Sequence, residues 1–351
     1  MTGPMPPAIG GMVTVLHDLK KSSLAEKVHL EFFNTFKTTP EGRNLFCAVK
    51  SKLTLWLNWI RLLQSKQMTI VHIHTCSGFT FFLDSVLVLI SKCLSKPVIL
   101  HIHGGLFLDF LDKLNPVLFK TVKWIFGNCN RIIVLSDFWQ LTLLDKLGKF
   151  PFSVVENGIP LNCLGTKQQK SSSTIEILFL GNLAKLKGIF DLIEAMKHIE
   201  GAILNVVGGE DDPGIFQEIE LLLDTHDLHE KVKIHGAQYG DAKNDFLRSA
   251  DVFVLPSYAE GLPISLLEAM AYELPVVVTP VGGIPAVITD QQEGLLVKQG
   301  GVEELVVALR MLIGDSSLRK RMGVAARKRC EEKFGIEMTV DKLLDIYSGV
   351  H

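Results

Sequence analysis

Two doubly wound, Rossmann-like domains of the α/β class are what this sequence predicts. Three observations predict them: a length of 351 residues, short apolar runs alternating with longer amphipathic stretches, and a polar break near the middle. A single ordinary domain seldom needs so long a chain, whereas two of moderate size do. Hydrophobic residues make up 47% and charged residues 21%, a balance that can fill packed cores and excludes a disordered chain.

The apolar runs read as strands at 70–74, 98–101, 131–135 and 153–156 in the first half. In the second half they fall at 175–181, 202–208, 231–235, 251–256 and 275–279. Most are continuously apolar instead of alternating, as parallel strands covered on both faces require. Helical segments lie between them, among them 54–65, 190–198, 215–226 and 264–272. Strand and helix repeated in this way predict doubly wound architecture. The break, CLGTKQQKSSST at 163–174, has no apolar period and reads as a linker. A cleft is expected between the halves, with ligands bound beyond the carboxyl ends of the strands.

Composition also bounds the partners. A net charge of −2 provides no whole-chain attraction to nucleic acid or to an anionic membrane. Cys47, Cys76, Cys93, Cys129, Cys163 and Cys330 are scattered without a CxxC pair, as for free thiols in a reducing cytoplasm. The start, MTGPMPPAIGGM, lacks the charged region and apolar core of a signal peptide. The longest apolar stretch, 79–90, is interrupted by Asp84 and falls short of the roughly 20 residues of a spanning helix. A soluble or peripheral protein is expected.

The most informative stretch is PSYAEGLPISLLEAMAYELP at 256–275. A strand ends in a loop carrying Glu260 and Gly261, Pro263 suits a helix start, and Glu268 lies one and a half turns into that helix. Free amides at a helix N-terminus bind phosphate, and two flanking carboxylates accept hydrogen bonds from hydroxyls. Extended to PSYAEGLPISLLEAMAYELPVVVTPVGGIPAVI, the segment closely resembles the signature of glycosyltransferase family 4, retaining enzymes of the GT-B fold.

The resemblance implies that Glu260 meets the donor sugar and Glu268 the ribose hydroxyls, with the amides of Gly261 and Leu262 near sugar and phosphates. FLGNLAKLKG at 179–188 matches the family's glycine–arginine–leucine segment, which puts Lys187 on the pyrophosphate. The family arginine is Asn182 here, so a neutral donor replaces a fixed cation; Lys185 is a candidate substitute. ENGIP at 156–160 resembles the turn that closes the first domain. AIGGM at 8–12 resembles the N-terminal glycine pair, where Gly10 and Gly11 would let amides approach the donor phosphates. Only MTGPMPP precedes it, so a largely missing first strand or a truncated start is expected. HIHGG at 101–105 resembles the family's histidine–glycine segment and puts His103 beside the reacting sugar.

The resemblance implies domains at 1–162 and 175–335, with a last helix within 336–351 packing back on the first. It also implies a metal-independent hexosyltransferase that retains anomeric configuration. The leaving diphosphate would be stabilised by Lys187, loop amides and the helix dipole, and no cofactor is expected beyond a UDP- or GDP-linked donor substrate. His72, His74 and His101 alternate suggestively, but no third carboxylate or cysteine stands at ligand spacing, and no metal is expected. Two stretches, 50–66 and 114–126, mix Trp, Leu or Phe with Lys or Arg, consistent with sheet-covering helices or with peripheral membrane contact. A glycan or lipid-linked acceptor in bacterial surface polysaccharide synthesis, at the inner face of the plasma membrane, is the expected setting. A nucleotide-sugar epimerase and a non-catalytic interaction subunit are the alternatives.

Overall fold

The computed structural model describes all residues except 7, 9, 37–44, 65–68, 162–173 and 351. The expected linker therefore lies, apart from Thr174, outside the described residues. The chain divides into two compact units, Met1–Asn157 with Ile336–His351, and Gly158–Gly335.

Among the described residues the first unit holds six parallel strands: β1 (Thr2–Gly3), β2 (Phe33–Asn34), β3 (Val71–Thr75), β4 (Val98–Ile102), β5 (Arg131–Val134) and β6 (Phe152–Val154). Their order is β2-β1-β3-β4-β5-β6. β3 and β4 are buried at every position, which explains their unbroken apolar and histidine sequence. The first strand, expected to be largely missing, is reduced to two residues. Thr2–Gly3 forms a two-residue strand paired in parallel with both β2 and β3, too short to leave a period in the sequence.

The helix expected at 54–65 instead spans Leu45–Leu63. It is fastened by Trp59, fully buried, whose indole N–H donates to Ser91 Oγ at 3.1 Å. The apolar stretch broken by Asp84 is the helix Phe79–Cys93, and the charge has a structural reason. Thr75 donates to Asp84 Oδ2 at 2.8 Å, and burial pushes the Asp84 carboxyl up to about 7. Among the described residues no helix is long and apolar enough to cross a membrane. The helix Ile336–Ser348 belongs to this unit, where Thr339 donates to the Glu156 carbonyl at 3.0 Å.

The second unit holds β7 (Ile175–Leu180), β8 (Ala202–Val207), β9 (Val232–Ile234), β10 (Val252–Leu255), β11 (Val276–Val278) and β12 (Gly294–Leu296). All are parallel, in the order β12-β11-β10-β7-β8-β9. Counted from β7, this is the doubly wound 3-2-1-4-5-6 arrangement. The expected α/β class with two parallel sheets is what the chain adopts. β12 had no sequence signal, because three residues do not establish a period.

Candidate functional site

In a doubly wound sheet the chain winds outward in both directions from one point, and the loops leaving the strands there part to form a crevice. In the second unit that point lies between β7 and β10, which are hydrogen-bonded neighbours. The loop after β7 carries Asn182, Lys185 and Lys187; the loop after β10 carries Ser257, Glu260, Gly261 and Leu262. Five of the sequence-nominated donor residues thus gather at one strand-end crevice.

Close backbone contacts stitch these loops together. Gly188 has φ +69°, and a Cβ there would stand 2.0 Å from the Pro256 carbonyl oxygen, so only glycine fits. The Tyr258 amide donates to the Leu186 carbonyl at 2.7 Å, and the Tyr258 hydroxyl to Asp191 at 2.8 Å. The result is an ion pair across the crevice. Lys187 Nζ donates to both oxygens of Glu260, at 2.7 and 2.9 Å, and Ser257 Oγ donates to Oε1 at 2.7 Å. Glu260 is only 5% exposed, so its charge is held by named partners instead of water. The loop after β11 supports it from behind. Thr279 donates to the Ser257 carbonyl, and the Gly283 amide donates to the Gly261 carbonyl at 2.8 Å.

Glu268 lies on the helix Ile264–Ala271, whose cap residue Pro263 directly precedes it. Its partner is Lys243, from the helix Gly240–Ser249. Neither that pairing nor Ser257 was found by sequence reasoning; Lys243 belongs to a different element and shares no motif with Glu268. Asn182 is half-buried at the end of β7, beside a tight crossing where a Cβ on Gly208 would meet the Gly181 carbonyl oxygen at 1.8 Å. Lys185, the proposed substitute for the missing arginine, is exposed and paired with Glu218 at 2.8 Å.

In the first unit, Gly10 caps the helix Gly11–Lys21 with φ 134°, a conformation that side chains resist. His103 follows β4, with its amide donating to the Thr75 carbonyl at 2.9 Å. His74 Nδ1 stands 2.8 Å from His103 Nε2, and burial pushes the His103 imidazole down to about 3. His103 is therefore neutral at physiological pH. It belongs to a stack that sequence spacing missed, because the register of β3 on β4 sets His74 opposite His101. His72, His74 and His101 come within metal-ligand reach of one another. His72, however, has both ring nitrogens engaged, with Tyr347 at 2.7 Å and His101 at 3.3 Å. Among the described residues, His74 Nε2 and His101 Nε2 are buried without a hydrogen-bond partner.

Two doubly wound parallel sheets in one chain are the architecture of GT-B proteins of the α/β class. Comparison with known proteins specifies the family. Residues 9–162 match the model described as Glycosyltransferase Family 4, and residues 166–329 the one described as Glycosyl transferases group 1. The chain belongs to these group 1 glycosyltransferases. It is 24% identical over 351 residues to an uncharacterized glycosyltransferase of Methanocaldococcus jannaschii, spanning 97% of this chain and 95% of that one. It is 25% identical over 319 residues to the UDP-Gal:alpha-D-GlcNAc-diphosphoundecaprenol alpha-1,3-galactosyltransferase of Escherichia coli, spanning 85% and 79%. Its fold is similar to sucrose-phosphate synthase from Thermosynechococcus elongatus, with a TM-score of 0.81 at 20% identity over 99% and 94% of the two chains.

Proposed function

We propose that this glycosyltransferase is a retaining, metal-independent hexosyltransferase whose donor is a UDP- or GDP-linked sugar. The observation that carries the reading is the Lys187–Glu260 pair at the crevice between β7 and β10. A diphosphate entering there offers Lys187 a stronger anion. The lysine then turns to the phosphates, and Glu260 is freed to accept a hydrogen bond from a sugar hydroxyl. The amides of Gly261 and Leu262 and the following helix favour the same negative charge. Glu268 accepts from the ribose hydroxyls. In the first unit the proposed substrate contacts lie at its own strand ends: the amides of Gly10 and Gly11, and the neutral imidazole of His103.

The acceptor is proposed to be a glycan or a lipid-linked saccharide of bacterial surface polysaccharide synthesis. The Escherichia coli relative, whose name specifies a diphosphoundecaprenol acceptor, supports that reading. So does an exposed face of the first unit. Trp124, Val117 and Leu118 project from the helix Pro116–Gly127 together with Lys120 and Lys123, which suits contact with the inner face of the plasma membrane.

Two substitutions separate the roles of the carboxylates. Glu268→Ala is expected to weaken nucleoside diphosphate binding by about 1.5–3 kcal/mol, the worth of hydrogen bonds to a charged group. Glu260→Ala is expected to lower turnover more than nucleotide affinity. Calorimetry with UDP and GDP, alongside turnover with the matching sugar nucleotide, distinguishes them; equal losses of nucleotide affinity contradict the assignment.

Asn182 offers a gain-of-affinity test. Lys185 is exposed and pairs with Glu218 at 2.8 Å, so it stands on the same loop as Asn182 but is not held toward it. Asn182→Arg is expected to tighten diphosphate binding about tenfold at low salt, with a gain that shrinks as ionic strength rises. An arginine that leaves affinity unchanged at both salt concentrations places the phosphates away from this turn.

A further inference from the structure

The two carboxylates of the donor half stand in different states. Glu260 has both oxygens occupied by Lys187 and a third hydrogen bond from Ser257. Glu268 is bonded through Oε1 to Lys243, and among the described residues its Oε2 has no partner. The Lys243 and Glu268 side chains are 21% and 17% exposed, so each is mostly shielded from water by its surroundings. An exposed lysine–glutamate pair orients neither partner, because solvent screens it and both side chains remain mobile. A pair shielded to this degree holds its geometry. One oxygen is anchored and the other remains open to a ligand.

Lys243 comes from the helix Gly240–Ser249 and Glu268 from the helix Ile264–Ala271, so the carboxylate is fixed from a neighbouring element. A ribose presents two adjacent hydroxyls, both donors, and an ionised carboxylate held at a fixed angle accepts from both. A freely rotating carboxylate loses that advantage to conformational entropy.

Building on the donor-site reading of Glu268, we propose that Lys243 is a specificity-determining positioning residue. It anchors Glu268 through Oε1 so that the open oxygen selects nucleotides carrying an intact ribose diol. Lys243 itself does not touch the nucleotide. Removing it is thus expected to erode discrimination against deoxyribose, not binding in general.

The test is calorimetry on the full chain with UDP and 2′-deoxy-UDP, and with GDP and 2′-deoxy-GDP. The wild type is expected to favour the ribose form of its cognate nucleotide by about 10- to 100-fold, the range for a charge-assisted hydrogen bond. In Lys243→Met the ratio is expected to fall to about threefold or less, with affinity for the deoxy form nearly unchanged. Lys243→Arg is expected to restore most of the ratio. In a Glu268→Ala background, Lys243→Met is expected to have no further effect on it, as a residue acting only through Glu268 requires. A ratio that survives Lys243→Met overturns the inference alone. Equal weakening of ribose and deoxyribose forms also overturns it, since it makes Lys243 a direct ligand of the phosphates. Failure of the wild type to bind any of the four nucleotides overturns the donor-site reading, and this inference with it.

Discussion

Lys187→Ala is expected to lower sugar transfer by about 100- to 1,000-fold, the scale on which removing one preorganised electrostatic donor slows a reaction. The reasoning begins before any substrate arrives. Glu260 is 5% exposed, and Lys187 neutralises it from both oxygens. Without the lysine the carboxylate retains only the Ser257 hydroxyl. Breaking a buried pair by deleting one partner costs about 3–5 kcal/mol; because the Lys187 side chain keeps 27% exposure, the lower end applies. Stability and turnover should therefore both fall, and they can be separated. Lys187→Met combined with Glu260→Gln removes both charges and is expected to recover much of the stability without recovering transfer. Denaturant titration, turnover and nucleoside diphosphate calorimetry on the three proteins check the prediction. Diphosphate affinity unchanged in Lys187→Ala would mean that the phosphates are held elsewhere.

Gly282→Ala is expected to have the largest effect on the donor half without touching a charged residue. Gly282 has φ +55°, and a Cβ there would stand 1.7 Å from the Glu260 carbonyl oxygen. Left-handed backbone costs an ordinary residue about 1–2 kcal/mol, and forcing a methyl into a packed site adds about 1–3 kcal/mol. The obstructing atom is backbone, so relief requires moving the loop that carries Glu260. A loss of about 2–5 kcal/mol in stability is expected, together with impaired donor binding. Gly314→Ala is the control, since a Cβ there meets nothing within 4 Å. If Gly282→Ala binds nucleotide and unfolds as the control does, the glycine is not what positions Glu260.

These two substitutions mark the boundary between what a linear pattern reveals and what it hides. Lys187, Glu260 and Glu268 each stood in a recognisable local segment, next to a strand whose apolar run was legible. That Lys187 and Glu260 meet is a property of neither segment. Seventy-three positions separate them, and they meet because β7 and β10 are adjacent in the sheet. Gly282 and Gly283 follow the apolar strand β11, and the segment that holds them was part of the recognised motif. The carbonyl that Gly282 accommodates belongs to another loop and could not be read.

The histidines make the same point in the first unit. Their alternation along β3 and β4 was plain, and it suggested at most two pairs. Parallel register placed His74 against His101, and the helix Ile336–Ser348 brought Tyr347 to His72.

Continuous apolar runs and the helical periods between them determined the α/β class, and the carboxylate motif before its helix nominated Glu260 and Glu268, because each depends on neighbours within a few positions. The boundaries of the Leu45–Leu63 helix, the short strands β1, β2 and β12, the Lys243 anchor on Glu268 and the histidine register were decided only in the tertiary structure. Each depends on which distant segments become adjacent, and a sequence carries no local period for that.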